Sequence, residues 1–166
     1  MNRPRILGMA ILSFLMCMAG QIQAQPKAMT PEELTRRADV VAIGKVTATK
    51  SEWDENKSRI VTRATMSVGE YLKGNAGNVM TITTLGGEVD GVGEWYSHVA
   101  RFNKNEDVVV FAEKDKKGNF RVTGGRDGKI SITKDKSSGV SRVSEQMNLD
   151  DFRTRVKSAV RAQSTK

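Results

Sequence analysis

The run VVVF at residues 108–111 constrains the fold more than any other feature of the sequence. A short β-branched and aromatic block of this kind is typical of a buried central strand. Four glycines in the preceding segment, residues 86–107, interrupt any regular alternation: Gly86, Gly87, Gly91 and Gly93. The sequence therefore predicts a central strand that the chain reaches through a long, irregular and glycine-rich connection.

The first 24 residues have the pattern of a secretory signal. Arg3 and Arg5 form a basic start, residues 6–19 are apolar, and the sequence IQA at residues 22–24 suits a signal peptidase. The apolar run is shorter than the roughly 20 residues that a membrane-spanning helix needs. We therefore expect a signal peptide over residues 1–24, a periplasmic or secreted protein, and no transmembrane anchor after cleavage.

Cleavage would remove the only cysteine, Cys17, so the exported chain would have no internal disulfide. It would also remove two arginines and no acid, and so lower the formal net charge of +8 by two. Acidic residues are interspersed with the basic ones, so an evenly solvated surface explains this charge as well as an affinity for anions does. We expect a flexible leader over residues 25–30 and a single domain over residues 31–163.

Alternation of apolar and polar residues predicts strands through most of the chain. From Ile60, one face carries Thr62, Ala64, Met66 and Val68, and the other carries charged and hydroxyl residues. Further strands, separated by turn-forming residues, are predicted over residues 40–46, 79–85, 108–112, 120–122 and 130–132.

Helices are predicted at both ends of these strands. Thr30, Pro31 and Glu33 form a capping-box pattern for a short helix. Asn148 can cap a second helix, in which one apolar stripe contains Leu149, Phe152, Val156 and Val160, and a neighbouring basic stripe, expected to face solvent, contains Arg153, Lys157 and Arg161. The pattern predicts a mainly β fold: a small antiparallel, OB-like barrel of five to six strands with a short N-terminal helix and an amphipathic C-terminal helix.

The order of motifs between residues 38 and 132 also resembles known modules. The segments ADVVAIGKV at 38–46, YLKG at 71–74 and NEDVVVF at 105–111 follow one another as in netrin-like and tissue-inhibitor-of-metalloproteinase-like modules, which are OB-type barrels. The run is also similar to that of small exported bacterial proteins of unassigned function, including the Gly86-Gly87 and Gly128-Lys129 pairs. The resemblance implies a fold and no catalytic residue. The inhibitors' amino-terminal cysteine, which binds a protease zinc, has no counterpart in a chain that begins near Gln25.

The segment 86–102 is the predicted functional loop. Long loops with aromatic residues on a rigid scaffold commonly carry binding sites. We therefore expect an exported, non-enzymatic binding module that presents this loop to a protein or envelope partner. An anchoring role for the aromatic residues remains equally compatible with the sequence. The candidate binding residues are Glu88, Asp90, Trp95, Tyr96, His98 and Phe102.

Two alternatives belong to other functional classes. A polyanion-binding OB-like domain would use a basic face made of Lys116, Lys117, Arg121, Arg126 and Lys129. A small hydrolase would use the loop carboxylates Glu88, Asp90 and Glu94. The same carboxylates could surround a calcium ion, but their spacing is not that of an EF-hand. With one histidine and no catalytic motif, we expect no metal and no cofactor. Export also disfavours a specific nucleic-acid partner.

Overall fold

A computed structural model describes residues 27–144 and 147–164, so the expected signal peptide lies outside the described residues. None of the helices in these ranges is long and apolar enough to cross a membrane. The elements, in chain order, are α1 (Pro31–Arg37), β1 (Val40–Trp53), β2 (Ile60–Lys73), β3 (Val79–Leu85), β4 (Gly87–Val89), β5 (Val92–Glu94), β6 (Asp107–Lys114), β7 (Phe120–Val122), a 3₁₀ helix (Gly125–Gly128), β8 (Lys129–Ser131), β9 (Thr133–Lys134), β10 (Ser141–Ser144), β11 (Met147–Asn148) and α2 (Leu149–Ser164).

Five strands close into a barrel in the order β1-β2-β3-β7-β6, and β6 pairs with β1 to complete the ring. Strand β8 adds to the edge of β6. The expectation of a purely antiparallel barrel is wrong, because β3 and β7 pair in parallel at Ile82 and Phe120. The reason is geometric: five strands cannot alternate in direction all the way around a closed ring. One neighbouring pair must therefore be parallel, and the sheet is mixed.

Strands β1 and β6 separate two apolar clusters. Val40 and Ala42 of β1 face the barrel interior, together with Val108 and Val110 of β6. The intervening side chains, such as Val41 and those on alternate positions of β6, pack under the two helices in the second cluster. Successive side chains of a strand point to opposite faces. The continuous apolar run at 108–111 thus belongs to a strand that is buried on both faces, and the central-strand prediction is confirmed.

Both helix caps are as the sequence predicts. Thr30 Oγ1 accepts a hydrogen bond from Glu33 N, and the Glu33 carboxylate accepts one from Thr30 N. At the start of α2, Asn148 Oδ1 accepts a hydrogen bond from Asp151 N at 2.8 Å. The Phe152 ring meets Phe111 edge to face, with ring centroids 6.2 Å apart. Helix α2 is therefore docked on the outside of the barrel.

The basic stripe of α2 is exposed at Lys157 and Arg161, as expected, but Arg153 is half-buried, and two of these side chains form ion pairs. Arg153 Nε donates a hydrogen bond to Glu70 of β2 at 2.7 Å, and Lys157 Nζ contacts the same carboxylate at 3.0 Å. Arg155 pairs with Glu32 of α1. Helix α2 is therefore held against β2 by Arg153 and Lys157, and against α1 by Arg155, which lies outside the predicted stripe.

Residues 27–30, the described part of the expected leader, have no regular secondary structure. They are nevertheless held in place, since Met29 N donates a hydrogen bond to Asp127 Oδ2 at 3.0 Å. The Met29 side chain packs against the outer apolar cluster. This contact joins the start of the described chain to the 3₁₀ helix that follows β7.

Candidate functional site

The first half of the segment 86–102 is a hairpin. Strands β4 and β5 pair with Val89 opposite Val92, and the turn residues Asp90 and Gly91 have φ values of 51° and 78°. Two consecutive positive φ values are characteristic of a type I′ turn, for which Asp-Gly is a preferred sequence. The expectation of an irregular segment is therefore wrong here. The glycines at 86–87 end β3 without preventing a new pairing.

The hairpin lies directly on the ends of β1 and β2. Gly86 N donates a hydrogen bond to Ile60 O at 2.8 Å, and Thr62 Oγ1 donates one to Gly86 O at 2.6 Å. At Gly87, with φ of 134°, a Cβ atom would lie 2.3 Å from Ser51 Oγ and 2.5 Å from Thr62 Oγ1. Only glycine fits this close approach without displacing the hairpin. The segment is thus seated on the barrel wall.

Glu94 anchors the hairpin and is not a free carboxylate. Its Oε2 accepts hydrogen bonds from Ile60 N and from the Tyr96 hydroxyl, each at 3.1 Å. The hydrogen bond to the carboxylate raises the pKa of Tyr96, because it stabilises the protonated phenol. The Tyr96 hydroxyl therefore donates to Glu94 and links the aromatic side chain to the hairpin.

The second half of the segment is held by a buried pair of side chains. Ala100 and Phe102 belong to the barrel core, and Phe102 is only 8% exposed. Phe102 therefore closes the barrel, with part of its surface bordering the cleft described below. His98 is exposed, and its carbonyl oxygen accepts a hydrogen bond from Arg126 N at 2.8 Å.

Glu106 holds the end of the connection that leads from the segment 86–102 into β6. Its carboxylate accepts hydrogen bonds from Asn103 N, Ser131 Oγ and Lys129 Nζ. Burial alone would raise the pKa of Glu106, but the hydrogen bonds from Lys129 and Ser131 outweigh burial, and the pKa is lowered. The Lys129 and Glu106 side chains are only 12% and 17% exposed. They form the most buried ion pair among the described residues, so Lys129 is not a free cation.

Two aromatic side chains remain exposed on this anchored segment. Trp95 is 60% exposed and Tyr96 is 41% exposed. The Arg101 guanidinium lies over the Trp95 ring, with its central carbon 4.4 Å from the ring centroid. Such a contact contributes about 0.5 to 1 kcal/mol at an exposed site. Sequence reasoning did not find Arg101, because no local pattern indicates that residues 95 and 101 of an irregular segment will stack.

A cleft of about 370 Å³ lies between this segment and the barrel wall. Of the predicted binding residues, Glu88, Trp95, Tyr96 and Phe102 line it, whereas Asp90 and His98 do not. Hydroxyl residues of the strands form the facing wall, a feature that the sequence did not identify: Thr49, Ser51, Thr62 and Thr84. The cleft thus combines exposed aromatic surface with hydroxyl groups.

The five cations of the polyanion alternative are divided between different places. Lys117 and Arg121 line a depression of about 280 Å³ next to residues 54–56, where Lys117 pairs with Glu55 at 3.1 Å. Arg126 and Lys129 line another depression, next to residues 96–101. Lys116 is exposed in the turn between β6 and β7.

Within residues 27–144 and 147–164, no group of three or more His, Cys, Asp or Glu side chains lies close enough together to hold a metal ion. Comparison of the chain with protein-family models and with curated protein sequences gives no match. The case for a function therefore depends on the geometry of this segment.

Proposed function

We propose that the chain is an exported, non-enzymatic binding module, and that the segment 86–102 contacts a protein or an envelope component. One observation carries this proposal: two aromatic side chains, Trp95 and Tyr96, are exposed on a segment that is otherwise fastened to the barrel. Exposed aromatic residues on a rigid support lose little conformational entropy on binding and supply large contact areas. Export is inferred from residues 1–24.

We also infer that the barrel is of the OB type. The strand order β1-β2-β3-β7-β6, with closure by β6 and β1, supports this inference. The segment 86–102 then occupies the connection between the third and fourth barrel strands. Fold alone does not assign a ligand, so the proposal depends on the residues of the segment.

The two alternatives have weaker support. A polyanion would meet acidic residues in the depression beside Arg121, since Asp54, Glu55 and Asp115 also line it. A hydrolase would have Glu88 and Glu94 at the cleft, but Glu94 Oε2 is already occupied by two hydrogen bonds. Neither arrangement favours these functions over binding through exposed aromatic residues.

Recovery of a partner from a native envelope fraction tests the proposal. We expect immobilised wild-type protein to recover a specific partner, and the double variant Trp95→Ala with Tyr96→Ala to recover at least about tenfold less, as expected for two interface anchors. Val79→Ala is the matched control, because Val79 is an exposed apolar residue at the other end of β3. Equal recovery by the double variant and the control would remove the segment from the binding site.

A further inference from the structure

Two depressions of the surface share a border formed by Tyr96, Val99, Ala100 and Arg101. One is the cleft of about 370 Å³ described above, and the other has a volume of about 460 Å³ and lies toward the 3₁₀ helix. Volumes in this range are typical of sites for small molecules or for parts of a chain-like ligand. Because the same four residues line both depressions, we treat them as one groove, called here the two-part groove.

The first part of the groove offers an aromatic face and hydroxyl groups. Thr62 Oγ1 has one proton and uses it in the 2.6 Å hydrogen bond to Gly86 O. Ser51 must therefore donate in the 2.9 Å contact between the two hydroxyls, which leaves the lone pairs of Ser51 Oγ as acceptors. Together with the exposed Trp95 ring, this wall suits a flat, polyhydroxylated ring better than a purely apolar group.

The second part of the groove is cationic. Arg101 and Arg126 both line it, and in the described part of the chain neither guanidinium forms an ion pair. Lys129 also lines it but is neutralised by Glu106. None of the described residues that line this part is acidic. Arg101 also lies over the Trp95 ring. Two guanidinium groups beside one cavity, neither with a carboxylate partner among the described residues, are suited to a carboxylate or a similar anionic group.

We propose that the two-part groove binds an acidic glycan, with a neutral sugar ring against Trp95 and the anionic group of a neighbouring sugar at Arg101 and Arg126. This inference rests on the proposed function and names the ligand class. The acids Glu88 and Glu94 line the first part, so a chain with a charge on every unit, such as a nucleic acid, is repelled there. A chain that alternates neutral and acidic rings avoids that repulsion.

Calorimetric titration of the signal-free chain with a defined probe tests this inference. The probe is the hyaluronan tetrasaccharide, in which N-acetylglucosamine and glucuronate alternate, and its methyl ester supplies the same rings without charge. We expect the acid to bind at least about tenfold more tightly than the ester, the difference that one or two charge-assisted hydrogen bonds provide. Binding of the acid should weaken as salt is raised, because the guanidinium groups are exposed.

Substitutions in the groove test which side chains contact the charged sugar and which contact the neutral sugar. Arg101→Gln and Arg126→Gln should each reduce the preference for the acid over the ester, whereas Trp95→Ala should weaken both ligands. Lys116→Gln removes an equal charge outside the groove and should change neither. Circular dichroism confirms that each variant is folded.

Several results would overturn the inference. These are no binding of the acid, equal binding of acid and ester, or displacement of the acid by a single-stranded oligonucleotide at equal concentration. If a protein partner is nevertheless recovered through Trp95 and Tyr96, the glycan inference fails and the proposed function stands. If neither the probe nor an envelope partner depends on these residues, both fail.

Discussion

At the scale of single residues, Glu106 shows how one carboxylate can fix a long connection. It accepts hydrogen bonds from the backbone of Asn103 and from the side chains of Lys129 and Ser131, which lie on β8. Such a largely buried ion pair is stable only when its hydrogen-bond geometry is good, and removing one partner leaves an uncompensated charge. No local sequence pattern indicates this pairing, because residues 106 and 129 are separated by 23 positions and only the fold brings them together.

We predict that Glu106→Gln lowers the free energy of unfolding by about 1 to 3 kcal/mol at pH 7, because Lys129 loses its charged partner. Although burial alone would raise it, the folded-state pKa of Glu106 is below the ordinary glutamate value of 4.5, because Lys129 and Ser131 donate hydrogen bonds to the carboxylate. The stabilisation is therefore present above that value and is lost as the pH falls through the lower, folded-state pKa. Urea unfolding of wild type and variant from pH 7 to pH 3 should show the difference shrinking below about pH 4.5.

Glu113→Gln is the matched control, since Glu113 is an exposed glutamate of β6 with no ion pair among the described residues. Its effect should stay within about 0.5 kcal/mol across the same range. A Glu106→Gln difference that is constant or grows on acidification would show that the ion pair with Lys129 does not contribute in this way.

At the scale of elements, the sequence predicts what local patterns control. Strand β3 has the predicted bounds, Val79–Leu85, because turn residues flank it on both sides. Strand β1 extends to Trp53, beyond the predicted residue 46, because its polar second half pairs with β2. The β4–β5 hairpin does not follow from the glycine pattern, which predicts an irregular segment, although Asp90-Gly91 is a preferred hairpin turn sequence. Pairing with a partner strand overrides local polarity and glycine content.

The docking of α2 provides a prediction at this scale. Phe152→Ala removes a ring that is buried against Phe111, and we expect it to lower the free energy of unfolding by about 3 to 5 kcal/mol. That is a large part of the about 5 to 15 kcal/mol that stabilises a typical domain. Ser158→Ala, on the exposed side of the same helix, should change the free energy by less than about 0.5 kcal/mol. Similarly small changes for both variants in urea unfolding would mean that α2 is not docked in solution.

At the scale of the whole molecule, the barrel determines which part of the segment 86–102 stays exposed to solvent. The hairpin packs on β1 and β2 and buries Gly86, and Phe102 packs in the barrel core. Trp95 and Tyr96 stay exposed to solvent. The sequence identified the segment and these aromatic residues from composition and spacing. It could not identify Arg101 or the hydroxyl wall, because both depend on strands that are distant in sequence being brought next to the segment.

Site-specific crosslinking in the cells that make this protein tests the central claim most directly. A photo-crosslinking phenylalanine analogue is placed at position 95 in one variant and at position 116, on the turn between β6 and β7, in another. If the segment 86–102 is the binding surface, position 95 should give a discrete adduct on irradiation and position 116 should give none. An adduct from position 116 with none from position 95 would contradict the account.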